Sequence, residues 1–220
     1  MRSVSYQEDG SGKVLDTQLR EVNGTAVFVS DTQANVGIEA SLGGVTVKRA
    51  ITWFSTTDLP NDVCIVSAIF RVVVRTAADG DSAWLAVGGS ETWNTAGSFP
   101  TWDHKADGVS WATAGGSAVG PTVNLGTMPT STGAVEFEVK DIVKWCRDNT
   151  EGDRQVVIVL KHLDESTDPD SISTRAADYG TAGDRPKLTL TYVTGKGAIG
   201  HAVFYSSGRR RRRRRAGRKH

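Results

Sequence analysis

The sequence predicts an all-β fold, a jelly-roll β-sandwich with one short helix and a basic C-terminal tail. Three observations predict it: short stretches alternate apolar and polar residues and are rich in β-branched side chains, Gly, Pro and Asn separate these stretches, and a single segment has helical spacing. A chain of 220 residues buries a sizeable core without disulfides. With 38% hydrophobic and 23% charged residues it matches neither a disordered nor a membrane chain.

The first predicted elements are a hairpin and a strand. Asn23 and Gly24 lie between two alternating runs in LREVNGTAVFV, and Asn-Gly tolerates the positive φ angles of a type I′ turn. Residues 45–55, VTVKRAITWFS, alternate in the same way and form the next predicted strand. The sequence LPND at 59–62 ends it.

Residues 63–74 form the most apolar of the predicted strands. Period-two spacing places one set of side chains together on the face directed to the core: Cys64, Val66, Ala68, Phe70, Val72 and Val74. The opposite face is also partly apolar, which indicates a central strand of the sandwich. Further strands are predicted at residues 83–87, 134–139, 155–161 and 187–193, the last with Leu188, Leu190 and Tyr192 on one face.

A single convincing helix is predicted in VKDIVKWCRDN. Val139, Ile142, Val143 and Cys146 follow the i, i+3, i+4, i+7 spacing of a short amphipathic helix. Cys146 on this helix and Cys64 on its strand therefore both fall on predicted core faces. Two cysteines make no disulfide framework, so we interpret both as buried free thiols.

The long connection at residues 88–121 is rich in Gly, Ser and Trp. It carries Trp93, Trp102 and Trp111, and exposing three such rings to water is costly. We therefore expect ordered loops in which the tryptophans pack over a sheet edge or the mouth of the sandwich. The alternative is a platform of exposed rings that stacks on sugars, which makes these three residues the candidate glycan-binding residues.

Charge divides the chain into an acidic body and a basic tail. Nine of the 26 basic residues and none of the 25 acidic ones lie at 208–220, so residues 1–207 carry 17 basic against 25 acidic side chains, a net charge of −8. The sequence thus predicts a domain at 1–194, a Gly-rich linker at 195–208 and a tail at 209–220. The cations of the tail are Arg209, Arg210, Arg211, Arg212, Arg213, Arg214, Arg215, Arg218 and Lys219.

The tail is the strongest functional feature of the sequence. Its cations repel one another and cannot be buried, so it is typical of a segment that is disordered in isolation. Two partners suit it: the phosphate backbone of a nucleic acid, or an acidic surface on a neighbouring protein. It lacks the interleaved aromatic residues of a single-strand reader, and a merely solubilising tail is the third alternative.

No catalytic, metal or cofactor site is predicted. The run GKGAIG at 195–200 matches a dinucleotide-binding pattern, but no βαβ unit surrounds it, and we interpret it as a hinge into the tail. Asp164, Glu165, Asp168 and Asp170 lack the spacing of a calcium loop and indicate a solvated acidic loop. The chain is therefore not expected to be an enzyme.

An ordered set of motifs resembles the DNRLRE-type domains, a family of β-jelly rolls related to carbohydrate-binding modules. The motifs are DTQL at 16–19, NVG at 35–37, KRAITWFSTTDLP at 48–60, the loop ETWNTAGSFPTWDHKADGVSWATAGG at 91–116, and RPKLTLTY before the linker. VKDIVKWC fills the place of the short helix of the family. The loop with its TW and WATAGG segments looks like the phage-encoded versions.

The resemblance implies a structural protein of a bacteriophage virion, a capsid decoration or appendage protein. The absence of an apolar leader in MRSVSYQEDGSGK agrees with this expectation. The expected partners are an acidic face of the major capsid protein or another virion protein, nucleic acid through the tail, and further copies of this chain, with no membrane. The alternative is a glycan-binding adhesion module of a tail or head fibre.

Overall fold

In the computed structural model, the residues whose structure is described are 1–9, 13–21, 33–41, 44–78, 82–91, 100–106, 108–149, 154–165 and 170–194. The predicted Asn23-Gly24 hairpin lies outside this set. Of the described residues, 61% lie in strands. The all-β prediction is therefore confirmed.

Strands follow one another along the described chain, interrupted by one α-helix and a short 3-10 turn at Ala182–Asp184. In order they are β1 (Arg2–Gln7), β2 (Val14–Arg20), β3 (Gln33–Ser41), β4 (Gly44–Ser55), β5 (Val63–Thr76), β6 (Ala83–Gly89), β7 (His104–Ala106), β8 (Val109–Ser110), β9 (Ala118–Thr127), β10 (Gly133–Glu138), α1 (Lys140–Asn149), β11 (Gln155–His162), β12 (Ser171–Arg175) and β13 (Lys187–Thr194).

The described strands, apart from the β7–β8 hairpin, form one curled antiparallel sheet. Its order is β1-β13-β5-β12-β3-β4-β11-β6-β9, with β10 paired to β5 and β2 paired to β4. Phe54 of β4 and Phe70 of β5 are separated by two strands along this path, yet their rings meet edge to face at 5.9 Å. The sheet therefore curls over a shared interior, which is consistent with a β-sandwich.

The inner core lies inside the curl and is apolar. Its largest fully buried side chains include Trp84, Phe54, Phe70, Ile158, Leu160 and Leu188. The Trp84 ring meets Phe137 of β10 edge to face at 5.1 Å, which again joins distant strands of the path. The buried face of the last predicted strand, Leu188, Leu190 and Tyr192, is confirmed.

Helix α1 covers one end of the inner core. The four residues of its predicted apolar stripe, Val139, Ile142, Val143 and Cys146, are fully buried, so the helix and its inward face are confirmed. Trp145 packs flat against a pair of glycines on β6 and β9, and a Cβ built on Gly120 would lie 2.6 Å from its ring. No helix among the described residues has both the length and the apolarity needed to span a membrane.

The predicted core face of β5 is wrong at its first two positions. Thr191 of β13 pairs with Ser67, but the next residue, Tyr192, pairs with Ile65, so Val66 is an extra residue in β5. This β-bulge reverses the alternation. Ile65 is buried, whereas Cys64 and Val66 are exposed; Cys64 is therefore a surface thiol.

Two strands that the sequence does not predict lie at the ends of the sheet path. β1 and β9 each have a neighbour on one side only, and their side chains are mostly exposed or half-buried. An edge strand that faces water needs no apolar alternation, and β9 tolerates Pro121 because an edge strand leaves backbone N–H groups unpaired. The connection predicted at 88–121 is shorter in the structure, since β6 ends at Gly89 and β9 begins at Ala118.

Candidate functional site

The strongest candidate residues of the sequence lie outside the described part of the chain. They are the nine cations of the tail, Arg209 to Arg215, Arg218 and Lys219, together with the linker at 195–208 and Trp93. The last described residue, Thr194, pairs with Val63 at the beginning of β5. The chain thus leaves the described domain beside the exposed start of β5 and residue Cys64.

Trp102 and Trp111 are buried on the outer face of the sheet. They are 8% and 5% exposed and pack on an apolar patch that we name the outer cluster, which also contains Leu19, Val47, Ile51, Val157 and Val159. The loop packing expected for these rings is therefore present, on a sheet face instead of an edge or mouth. A ring with so little exposed surface has no free face for a sugar, so these two residues act in packing.

A charged clamp on β4 holds the tryptophan loop on this face. The guanidinium of Arg49 donates from Nε and Nη2 to the two carboxylate oxygens of Glu165, at 2.7 and 2.6 Å, and from Nη1 to the carbonyl of Gly115 at 3.0 Å. Its Cζ lies 4.7 Å from the ring centroid of Trp102. Arg49 therefore bridges the sheet, the loop and the segment after β11 by a bidentate pair and a cation–π contact.

Glu165 is a partner in two ion pairs. Lys161 lies four residues before Glu165, and its Nζ is 3.1 Å from Oε2, the oxygen that Arg49 also contacts. Burial by itself would raise the pKa of Glu165, but the hydrogen bond and positive charge of Arg49, and then the charge of Lys161, lower it below the ordinary glutamate value. The solvated acidic loop predicted here is therefore wrong at Glu165, whose side chain is 17% exposed.

A second carboxylate joins the two ends of the loop. Glu91 accepts hydrogen bonds from Lys105 Nζ at 2.7 Å, from the backbone N–H of Ala112 at 2.6 Å and from the hydroxyl of Ser117. Burial acts to raise the pKa of Glu91, but these donors together lower it. Glu91 thus closes the loop where it leaves β6 and returns to β9.

Two glycines in the WATAGG motif allow this close packing. Gly115 and Gly116 have φ of +77° and +94°, in the left-handed region that favours glycine. A Cβ on Gly116 would lie 3.1 Å from side-chain methyl groups of both Ile51 and Leu19. The motif was visible in the sequence, but the clamp of Arg49 and Glu165 was not identified because these two residues are distant from the loop in sequence. Glu91 begins the loop itself, but no spacing rule indicated its role.

The carboxyl group of Asp16, on β2, has a pKa that is shifted in the opposite direction. Both oxygens of Asp16 accept the backbone N–H of Ala177 at 2.9 Å, which connects β2 to the turn after β12. Although part of the residue reaches solvent, desolvation of the carboxyl raises its pKa to about 7 against that hydrogen bond, and the charges of Asp178 and Glu8 add to the rise. Among the described residues, no Lys or Arg forms a salt bridge with Asp16 that would offset this cost.

A polar cavity of about 420 Å³ lies between β3, β5 and β12. Its polar lining consists of the side chains of Gln33, Asn35, Arg75, Thr76, Ser171 and Ser173. Gln33 Oε1 and Ser173 Oγ are buried there without a hydrogen-bond partner. Amide and hydroxyl groups of this kind complement an uncharged ligand that is rich in hydroxyl groups.

Within the described ranges, no three His, Cys, Asp or Glu side chains are grouped so that they could hold a metal ion. A comparison with models of protein families finds no match to this chain, and a comparison with curated protein sequences also finds none. The function is therefore inferred from charge, burial and contacts.

Proposed function

We propose that this protein is a structural protein of a bacteriophage virion, a capsid decoration or appendage protein that resides in the particle. In this proposal the curled sheet is a jelly-roll β-sandwich that is displayed outward, and the arginine tail attaches it. The observation that carries the proposal is the division of charge between a body of net charge −8 and a tail with nine cations.

The sign of the two charges determines which part can attach. The net negative charge of the body repels nucleic acid and acidic protein faces alike, so attachment of the protein to the particle is assigned to the tail. Arginine forks onto carboxylates and phosphates in a bidentate manner, which makes a run of seven well suited to an acidic face of the major capsid protein or another virion protein. A protein partner is favoured because a displayed appendage has little access to packaged nucleic acid.

The described domain suits a display role. The tryptophan loop is fixed to the sheet by the Arg49–Glu165 clamp, the Glu91 hydrogen bonds and two buried indole rings. The motifs that resemble phage-encoded DNRLRE-type domains include this same loop. Structural proteins of virions assemble with closed symmetry, so a homo-oligomer belongs to the proposal, and catalysis does not.

Deletion of residues 208–220 tests the proposal. Mass spectrometry of purified particles is expected to find the full-length chain and to lose it when the tail is deleted, with the melting temperature nearly unchanged, because a solvated arginine run adds little to the core. The matched control replaces the seven consecutive arginines with lysines, which keeps the charge but removes the bidentate fork. A tail-deleted chain that stays on the particle, or a full-length chain that is absent from it, contradicts the proposal.

Salt and nuclease identify the partner of the tail. Attachment to protein carboxylates weakens with salt and survives nuclease treatment. Attachment to nucleic acid is released by nuclease, is independent of sequence and falls steeply with salt, with a logarithmic slope of about −0.9 per phosphate contacted. Release by nuclease would therefore move the partner from capsid protein to nucleic acid.

The polar cavity favours one further candidate function, binding of a glycan by an adhesion module. Its unpartnered Ser173 hydroxyl and Gln33 carbonyl are suited to sugar hydroxyl groups. On a glycan array, Thr76→Val is expected to weaken binding and the control Arg71→Gln, which lies outside the cavity, to leave it unchanged. Loss of binding in Trp93→Ala alone would place the site on the tryptophan loop, and an array with no specific binder would remove this candidate.

A further inference from the structure

A second cavity of about 420 Å³ opens where the described domain ends, and its lining is basic. It lies between the end of α1, the start of β5 and the segment before β11. The lining residues are Asn61, Val63, Cys64, Ile65, Lys144, Arg147, Asp148 and Arg154. Among the described residues of this lining, three cations and one carboxylate give a charge of +2, on a body whose net charge is −8.

No described carboxylate lies at ion-pair distance from the cations of this basic cavity. Among the described residues, the salt bridges involve other side chains, and none includes Lys144, Arg147 or Arg154. The Nε of Arg154 is buried and donates to no acceptor. Desolvation and then the positive charge of Arg154 lower the pKa of Arg147, and Asp148 opposes this more weakly. Among the described residues, the positive charge here is therefore opposed by Asp148 alone in the lining and exceeds it.

The two arginines are held in position by backbone carbonyls of one loop. Arg147 Nη2 donates to the carbonyl of Pro60 at 3.3 Å, and Arg154 Nη1 donates to the carbonyl of Leu59. These bonds fix both guanidinium groups beside the same loop and leave most of their N–H donors unused. The donors are therefore pre-positioned around one space.

The backbone of Arg154 is strained in the same place. Its φ of +53° lies in the left-handed region, which costs free energy in a residue with a side chain. The fully buried Thr56 secures this conformation, since its backbone N–H, at 3.1 Å, and its hydroxyl both donate to the carbonyl of Arg154. A strained arginine that is anchored on both its backbone and its side chain is typical of a binding site.

We propose that the basic cavity binds a phosphate group. A phosphate dianion matches the +2 charge of the lining, whereas a single carboxylate would leave one cation uncompensated. Its oxygens accept the free N–H groups of Arg147 and Arg154 and the ammonium of Lys144, with the amide of Asn61 as a fourth donor. The phosphate is either that of a small phosphorylated molecule or one in a phosphodiester chain. The second source is considered because the domain continues from this end into the arginine tail, which also suits phosphates.

Cys64 provides a local reporter for this site. It is an exposed thiol in the lining, whereas Cys146 is buried with Sγ at 3.3 Å from the carbonyl of Val157. Alkylation of the folded full-length chain by neutral iodoacetamide should modify Cys64 and leave Cys146 unmodified. The protection of Cys64 against increasing ligand gives an apparent Kd for a ligand that covers this lining.

Four ligands are compared at constant ionic strength: inorganic phosphate, glycerol phosphate, an oligothymidylate and acetate. Each is added up to about 10 mM in phosphate or carboxylate groups, a concentration range that covers weak charge-assisted binding. Phosphate should protect Cys64 at least tenfold better than acetate. Protection by glycerol phosphate assigns the site to a small phosphorylated molecule, and protection by the oligothymidylate alone assigns it to a phosphodiester chain.

Substitutions link protection to the named cations. Arg147→Gln should raise the apparent Kd at least tenfold, and Lys144→Gln, an exposed position that does not affect folding, at least threefold. Arg75→Gln, an arginine of the polar cavity, is the matched control and should change nothing. Equal protection by acetate, no protection by any phosphate, or an unchanged Kd in both Arg147→Gln and Lys144→Gln would overturn the proposal.

Discussion

On the two faces of the sheet, the pKa values of carboxyl groups are shifted in opposite directions. On the outer face, Glu165 and Glu91 have pKa values below the ordinary range, because Arg49, Lys161 and Lys105 donate to them. On β2, Asp16 lies on the same strand face as Val14 of the inner core and forms no salt bridge with a described cation, and its pKa is raised to about 7. All three side chains carry a carboxyl group, and the surroundings of each one determine whether its pKa is lowered or raised.

This difference shows what charge contributes in each layer. On the outer face each carboxylate contacts a cation and hydrogen-bond donors, so its charge helps to fix a loop on an apolar patch. Toward the inner core, desolvation exceeds the single hydrogen bond from Ala177, so ionised Asp16 lowers the stability of the fold. Apolar contacts therefore hold the interior together, and charge determines where the outer loop lies.

The largest expected effect tests the apolar side of this comparison. Phe70→Ala removes a fully buried ring that packs edge to face on Phe54. We expect the free energy of unfolding to fall by about 4 kcal/mol, from lost burial and the cavity that remains. Urea denaturation followed by circular dichroism measures it.

The control for Phe70→Ala lies on the same strand. Val66 was predicted to share the face of Phe70, but the β-bulge leaves it 38% exposed. Val66→Ala should therefore change the free energy of unfolding by less than about 0.5 kcal/mol. A loss as large as that of Phe70→Ala would restore the alternation predicted from the sequence and contradict the bulge.

The second prediction concerns the pH dependence caused by Asp16. Its folded pKa of about 7 lies above the ordinary value of 3.8, so the folded state holds the proton more tightly, and the contribution of Asp16 to stability falls as the pH rises from about 4 to about 7. Asp16→Asn should match the natural chain at pH 4. At pH 8 it should be more stable by about 4 kcal/mol, since the rise from 3.8 to about 7 spans about three pKa units and each corresponds to about 1.4 kcal/mol.

Comparing the two chains at each pH cancels the titration of the other carboxyl groups. Asp62→Asn, at an exposed position, is the control and should show no such divergence. If the stability difference between Asp16→Asn and the natural chain stayed constant from pH 4 to pH 8, then desolvation would not dominate at Asp16.

Much of the interior could be predicted from the sequence, because burial on one face leaves a periodic pattern. The helix with its three buried residues and the strand at 187–193 followed directly from spacing. The start of β5 could not be predicted, since a β-bulge is set by pairing with β13 and reverses alternation without any local signal. The edge strands β1 and β9 were missed because one-sided pairing in contact with water requires no apolar period.

The outer face could be predicted only in part. Three tryptophans in a long connection rich in Gly and Ser indicated a packed loop. The contact between Arg49 and Glu165 joins residues 116 positions apart, so no spacing rule identifies it. The basic cavity could not be predicted from the sequence either, because it brings together residues from β5, α1 and the segment before β11.

The smallest expected effect tests whether charge fixes the loop. Glu165→Gln leaves Arg49 without its bidentate partner in a half-buried place, and we expect a loss of about 2 kcal/mol in the free energy of unfolding near neutral pH. The folded pKa of Glu165 is lowered, so its contribution is present above the ordinary glutamate pKa of 4.5 and is lost as the pH falls through the folded pKa. The difference between the two chains should therefore shrink in acid, opposite to Asp16→Asn.

A local readout separates the clamp from general destabilisation. When Glu165→Gln releases the loop, Trp102 gains contact with water, so tryptophan emission should shift to the red and proteases should cut within residues 91–117 while the far-ultraviolet circular dichroism stays unchanged. Glu136→Gln, at an exposed carboxylate on β10, should do neither. In a double-mutant cycle, Arg49→Met should cost little more once Glu165 is already Gln. Additive losses would show that Arg49 and Glu165 act independently, and the loop would then be held by its tryptophans and the Glu91 hydrogen bonds.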